Sequence, residues 1–241
     1  MKNVKTAAIV LAAGHGKRMH SKVAKQYLLL KGEPVVVHAL RAFEKAGMDE
    51  IILVAGADEV EFCKRNIVEQ YGFTRVRQVV AGGKERYDSV RNGLCALKAA
   101  GFTEDGIVLI HDGARPLVKP EHITAVIHDA EVFGGATLGV PVKDTIKVVN
   151  DGLIVDTPYR PHLYSTQTPQ VFQKRIYFEA VDFALEHHLD FTDDCQLAEA
   201  INCKVYMTIG DYTNLKITTP EDIFIARMLL EKRMEESTCT K

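Results

Sequence analysis

Residues 6–19 read TAAIVLAAGHGKRM, an apolar run that ends in two glycines and two adjacent cations. Small and branched residues without alternation suit a strand covered on both faces. Gly14 and Gly16 let the backbone turn sharply and bring N–H groups to close approach, and Lys17 and Arg18 add positive charge. A strand opening into such a loop suits a polyphosphate. The fold class then turns on whether more buried strands follow.

They do. EIILVAG (50–56), VRQVVAG (76–82) and GIVLIHD (106–112) are further Val/Ile/Leu runs. Helical spacing lies between and after them: PVVVHALRAFEKA (34–46) with Pro34 at a first helical position, then Asp58 to Tyr71, Arg86 to Ala100 and Pro120 to Phe133. This alternation predicts an α/β fold, a Rossmann-like and mostly parallel sheet with helices on both faces. Right-handed crossovers would gather the C-terminal strand ends on one edge, where open α/β sheets bind ligands.

Beyond Gly139 the pattern changes. DTIKVVNDGLIVDTP (144–158) alternates on either side of Asn150-Asp151-Gly152, which is hairpin turn chemistry. A lone hairpin is marginal in water, so Ile146, Val148, Leu153 and Val155 need a surface, either their own domain or a second subunit. Residues 173–187 and a short stretch after Asp193-Asp194 read as helices, and KVYMTIG (204–210) as a strand. In the closing ITTPEDIFIARMLLEKRM, Thr219 caps a helix, Pro220 takes its first position and Asp222 completes a capping box. With no repeat and no linker, residues 1–241 are expected to form a single domain, from which 139–171 projects as an arm.

The 241 residues are 46% hydrophobic and 26% charged, ordinary globular values. A net charge of −2 argues against a nucleic-acid partner, and no apolar stretch is long enough for a membrane span. The start, MKNVKTAAIVLAAG, mimics a signal peptide, but its apolar run is short and a phosphate-loop pattern follows. Cys63, Cys95, Cys195, Cys203 and Cys239 are scattered without a C-x-x-C pair, as expected of reduced thiols in a cytoplasm.

Three loops map to the ligand edge. The first carries Gly14, Gly16, Lys17 and Arg18, with Lys25 soon after; the third carries Gly82, Gly83 and Ser89; the fourth carries Asp112 and Arg115. The first lacks the spacing and the Ser/Thr of G-x-x-x-x-G-K-[ST], and Met19 stands where a dinucleotide fingerprint has its third glycine. Tyr27 and Lys31 form a Tyr-x-x-x-Lys pair, too early in the chain for a dehydrogenase. Clustered cations suit displacement at phosphorus, where negative charge grows on the transferred group and on departing pyrophosphate. Asp112 closes a buried strand and needs a partner, either a divalent cation or Arg115. His111 reads as a packed strand residue and His187-His188 as a solvated helix face.

LAAGHGKRM…AKQYL, AGGKERYDSV, HDGARPLV, VPVKDTIK, QTPQVF and NLKITTPEDI occur in that order over almost the whole chain. Together they resemble the 2-C-methyl-D-erythritol 4-phosphate cytidylyltransferases of the non-mevalonate isoprenoid pathway, enzymes of the nucleotide-diphospho-sugar transferase type. The resemblance implies that CTP and methylerythritol 4-phosphate react, with Mg²⁺ or another divalent cation, to give the CDP-linked alcohol and pyrophosphate. It places Leu11, Ala12, Ala13, Gly14 and Gly16 around the CTP phosphates, and Arg18 and Lys25 as the transition-state cations. It puts Gly83 and Ser89 by the cytosine, Asp112 and Arg115 near metal and nucleotide, and Thr145, Arg160, Thr168 and Lys216 by the sugar phosphate, Lys216 orienting the attacking group. It also implies a homodimer that exchanges the arm, so that Arg160 serves the neighbour's site. Leu11, Gly113 and Lys84 stand where some relatives carry proline, alanine and an acid. A cytidylyltransferase for a pentitol phosphate such as ribitol 5-phosphate is the alternative, separated by the wall from Lys143 to Thr168; a non-catalytic CTP sensor would not need Arg18, Lys25 and Lys216 together.

Overall fold

The computed structural model describes residues 4–14, 23–189 and 191–239. The opening run forms β1 (Thr6–Ala12). Its residues divide between two cores, Ala8, Val10 and Ala12 facing one and Ala7 and Ile9 the other. That division is why the run is continuously apolar.

A short hairpin, β2 (Leu29–Leu30) and β3 (Glu33–Pro34), leads into α1 (Val35–Lys45). Pro34 caps this helix from an extended conformation instead of opening its first turn. The pattern then repeats with β4 (Glu50–Ala55), α2 (Val60–Cys63), β5 (Val76–Ala81), α3 (Arg86–Ala99), β6 (Ile107–Asp112) and α4 (Pro120–Phe133). The helix expected from Asp58 to Tyr71 is α-helical only in α2; a 3-10 turn precedes it and a π-helical stretch, Lys64–Glu69, follows. The second half contributes β7 (Gly135–Pro141), the hairpin β8 (Val148–Asn150) and β9 (Leu153–Asp156), β10 (Tyr164–Gln173), α5 (Lys174–Glu186), α6 (Asp194–Ala200), β11 (Val205–Ile209) and α7 (Pro220–Cys239).

Seven strands form one sheet in the order β11-β7-β10-β6-β1-β4-β5. Pairing is parallel throughout except at β10, which runs antiparallel to both β6 and β7. The fold is α/β and mostly parallel, as the sequence predicts. β10 and β7 are the strands that the sequence reading omits. Pro169 and the polar run around it argue against a central strand, and the sheet accommodates them where the β10–β7 register shifts between Thr166 and Gln170.

The Asn150–Gly152 turn forms as expected, with positive φ at Asp151 (48°) and Gly152 (82°). The hairpin does not lie back on its own sheet. Leu153 is 72% exposed, Ile154 62% and Val155 59%, and Ile146 and Val148 are also uncovered in the single chain. The segment 139–171 therefore carries an exposed hairpin and then returns to the middle of the sheet through β10. At the far end, the Asp222 carboxylate accepts the N–H groups of Thr218 and Thr219, the acid half of the expected capping box for α7.

Candidate active site

Every strand of the large sheet except β10 runs the same way, so the loops after β1, β5 and β6 meet at one edge. Backbone bonds hold them together. Gly113 N–H donates to Leu11 O at 2.8 Å, and Gly82 N–H to Ala55 O at 2.7 Å. The loops after β1 and β5 touch so closely that a Cβ on Gly82 would lie 2.4 Å from Ala13 Cβ, and one on Gly83 2.1 Å from Asp88 Cβ. No side chain fits at either position, which is why AGG follows β5.

The loops enclose a cleft of about 610 Å³. Leu11, Ala13 and Gly14 line it from β1, Gly83 and Ser89 from the β5 loop and the start of α3, and Asp112 from the end of β6. Lys25 and Lys216 line it too. Ala12 supports the wall: its carbonyl accepts the buried Gln26 Nε2 at 2.5 Å. Ser89 Oγ accepts the Gly83 N–H at 3.1 Å and donates to Glu85 O at 3.2 Å, fixing the turn. Gly16 and Arg18, together with Lys17, lie outside the described residues.

Asp112 is the electrostatic centre. Lys216 Nζ lies 2.8 Å from its Oδ2, Arg115 Nε 3.7 Å from the same oxygen and Arg86 Nε 3.9 Å from Oδ1. Burial alone would raise its pKa, but Lys216, Arg86 and Arg115 outweigh that and hold the carboxyl well below its usual range. It is ionised at neutral pH. Arg115 lies behind the wall, and its Nη1 donates to Asn214 O at 2.8 Å. The Asp112 N–H donates to Thr168 Oγ1 at 3.1 Å, and Thr168 is itself buried, so in this chain that hydroxyl positions the strand end from β10. Thr145 and Arg160 are exposed on the arm and do not line this cleft.

Arg86 is, with its neighbour Glu85, a charged cleft residue that the sequence reading missed. It opens α3, where the helix dipole disfavours a cation, so a buried acid should hold it. That acid is Asp194, read from sequence only as a helix start. Its Oδ2 lies 2.5 Å from Arg86 Nη2, its Oδ1 accepts the Tyr177 hydroxyl at 2.5 Å, and it is 1% exposed. The signal was legible in principle: a cation one turn after a glycine pair and an acid pair at a later helix start.

Tyr27 and Lys31 are structural. The Tyr27 hydroxyl meets Glu59 and Cys63 in the core, and Lys31 pairs with Glu231. His111 is packed, as the sequence reading has it: fully buried, edge-on to Phe43 at 4.9 Å, with Nδ1 3.0 Å from Thr168 Oγ1 and Nε2 3.2 Å from Arg115 O. Burial pushes its pKa down to about 4. The unfolded chain protonates it near 6.5, so between those values the unfolded state binds more protons and stability falls as pH falls. From pH 7 to pH 5 the native chain is expected to lose about 2 kcal/mol that a His111→Gln variant keeps, read from urea midpoints. Equal losses in both proteins would contradict this.

Among the described residues no three His, Cys, Asp or Glu side chains cluster to hold a metal ion. Mg²⁺ commonly binds through one or two carboxylates and substrate phosphates rather than an all-protein cage. Asp112 and Glu85 are the carboxylates lining the cleft.

Glycine loops, lysines and one ionised aspartate over parallel strand ends suit a phosphate-bearing ligand, and the fold is the Rossmann-like α/β type of the nucleotidyltransferases that it matches. Residues 6–232 match the family described as 2-C-methyl-D-erythritol 4-phosphate cytidylyltransferase. The chain is 46% identical over 234 residues to a protein of that name from Lachnoclostridium phytofermentans, covering 96% of this chain and 98% of the relative. It is 46% identical over 238 residues to another from Alkaliphilus oremlandii, covering 98% and 99%. The crystal structure of 4-diphosphocytidyl-2C-methyl-D-erythritol synthase from Anaerococcus prevotii superposes with a TM-score of 0.81 at 33% identity, covering 95% of this chain and 96% of that one. The chain belongs to the 2-C-methyl-D-erythritol 4-phosphate cytidylyltransferase family.

Proposed function

We propose that this chain transfers CMP from CTP to 2-C-methyl-D-erythritol 4-phosphate, releasing pyrophosphate, in isoprenoid precursor synthesis. The observation that carries the reading is the single cleft in which the β1 loop, Gly83, Ser89, Lys25, Asp112 and Lys216 meet. The nucleophile is a phosphate-monoester oxygen, already largely ionised at neutral pH because its second pKa is about 6. No general base is needed. The barrier comes from driving one anion onto another, so fixed cations supply most of the catalysis. The substrate oxygen forms a bond to the α-phosphorus as the bond from that phosphorus to the β-phosphate bridging oxygen breaks, with no covalent enzyme intermediate.

In this reading the phosphates lie along Leu11 to Gly16, and Lys25 and Arg18 take up charge on the departing pyrophosphate. Gly83 and Ser89 flank the cytosine. Lys216, held by Asp112 at 2.8 Å, orients the attacking phosphate. Asp112 would hold Mg²⁺, which supplies charge neutralisation of the triphosphate when bound.

Thr145 and Arg160 contact the sugar phosphate from the arm of a second subunit. The uncovered Val149, Leu153, Ile154 and Val155 support a homodimer, because exposed apolar side chains on a two-stranded arm gain stability only by packing on another surface. Thr168 contributes through its hold on Asp112. Unpaired cysteines at 63, 95, 195 and 203 support a cytoplasmic setting. No described helix is long and apolar enough to cross a membrane. Pyrophosphate release from CTP that depends on methylerythritol 4-phosphate tests the reading; none above background, with folded protein, would overturn it.

A further inference from the structure

Residues 210–219 connect β11 to α7 and touch both the cleft, through Lys216, and the root of the arm, through Tyr212. Their backbone is fixed at several points. Gly210 N–H donates to Gly139 O at 2.8 Å, and Ile217 N–H to Ala114 O at 2.8 Å. Asp211 pairs with Lys119 at 2.6 Å and accepts Gln167 Nε2 on its carbonyl at 2.8 Å. Asn214 Nδ2 donates to Thr168 O at 3.1 Å. One end of the segment thus delivers Lys216 to Asp112.

The other end meets the arm through one side chain. The Tyr212 hydroxyl donates to Pro141 O at 2.7 Å, where β7 ends and the arm begins. Lys143 Nζ sits 3.8 Å from the centroid of the Tyr212 ring. The Lys143 carbonyl accepts Arg160 Nη1 at 3.2 Å, across the two limbs of the arm. Beside it, Val142 N–H donates to Leu163 O at 3.0 Å and closes the root. Beyond this point the hairpin is exposed, so its direction is set where it leaves the sheet.

We propose that Tyr212 is a positioning residue for the sugar-phosphate side of the reaction. Its ring and hydroxyl fix the root of the arm, and through Lys143 they fix the attitude from which Arg160 and Thr145 project. The same segment carries Lys216 to this chain's own cleft, while the arm that it steadies reaches the partner's. Nothing in this linkage touches the Gly83 and Ser89 side of the cleft, where the nucleotide base is placed. The proposal rests on the cytidylyltransferase reading and adds a residue that acts on one substrate only. Without Tyr212 the arm samples more directions, and each productive encounter with the sugar phosphate first has to order it.

The test is steady-state kinetics of Tyr212→Phe and Tyr212→Leu, with CTP and methylerythritol 4-phosphate varied separately. Tyr212 is 48% exposed, and thermal unfolding of each variant verifies that the fold is kept. Tyr212→Leu is expected to raise KM for methylerythritol 4-phosphate about 5-fold, with kcat and the CTP KM within about 2-fold of the native values. Tyr212→Phe keeps the ring beneath Lys143 and should fall between. Lys143→Met combined with Tyr212→Leu should be little worse than Tyr212→Leu alone, since both remove the same link. An unmoved sugar-phosphate KM in Tyr212→Leu, or an equal rise in both KM values, overturns the proposal while native turnover upholds the activity. No native turnover overturns the activity and the proposal with it.

Discussion

Lys25→Ala is expected to lower kcat about 10²- to 10³-fold while changing CTP affinity only a few-fold. The two effects separate because the backbone at Lys25 is anchored through its neighbours. Lys25 opens a short 3-10 turn whose next two residues are locked inside the protein: Gln26 bonds the Ala12 carbonyl, and the Tyr27 hydroxyl meets Glu59 at 3.0 Å and Cys63 at 3.1 Å. The backbone beneath Lys25 keeps its place when the side chain is truncated. What is lost is a positive charge facing the cleft. In the ground state many contacts share the triphosphate, so one lysine adds little to binding. In the transition state charge moves onto the leaving pyrophosphate, and a fixed cation there is worth several kcal/mol. Single-turnover rates at saturating CTP, with CTP binding measured by calorimetry, separate the two quantities. A kcat within 3-fold of native would remove Lys25 from the chemistry.

The second large effect is a recovery of activity. Lys25→Ala and Arg160→Ala proteins, each nearly inactive alone, are expected to regain about a quarter of native activity when mixed equally and allowed to exchange subunits. About half the dimers are then hybrids. If Arg160 acts across the interface, one site of each hybrid has both an intact Lys25 and an intact Arg160. The geometry behind this is the separation within one chain: Lys25 lines the cleft, whereas Arg160 is exposed on the arm and outside its lining. No recovery, with exchange demonstrated by mass spectrometry of tagged subunits, would place both residues in one subunit's site.

The half of the fold that carries the β1, β5 and β6 loops was legible because its strands are rich in buried apolar residues. TAAIVLA, EIILVA and IVLIHD have no polar alternation to confuse with anything else, and glycines mark the turn after β5. The other half was harder for a physical reason. β7 (GATLGVP) contains two glycines and β10 (YSTQTPQVFQ) a proline, so neither stands out as a strand, yet both lie inside the sheet. Their polar residues have specific partners there. Gln170 bonds both Asp193 Oδ2 and the Asp194 N–H, and Thr168 holds Asp112 and His111.

The candidate site divides the same way. Residues that close a buried strand or follow it within two positions, such as Asp112, Gly14 and Gly83, could be placed from topology alone. Lys216 came from resemblance, since nothing local predicts that a loop after β11 returns to β6. Arg86 was missed because its meaning depends on Asp194, more than a hundred positions away. Tyr212 carries no motif at all, and only its contacts with Pro141 and Lys143 single it out.

The most direct test is pyrophosphate release with CTP and Mg²⁺, run in parallel with methylerythritol 4-phosphate and ribitol 5-phosphate. Turnover with the methylerythritol substrate and none above background with ribitol phosphate is the predicted result. Preferential turnover of ribitol 5-phosphate would contradict it: the nucleotide half would stand, and the wall from Lys143 to Thr168 would belong to a pentitol phosphate.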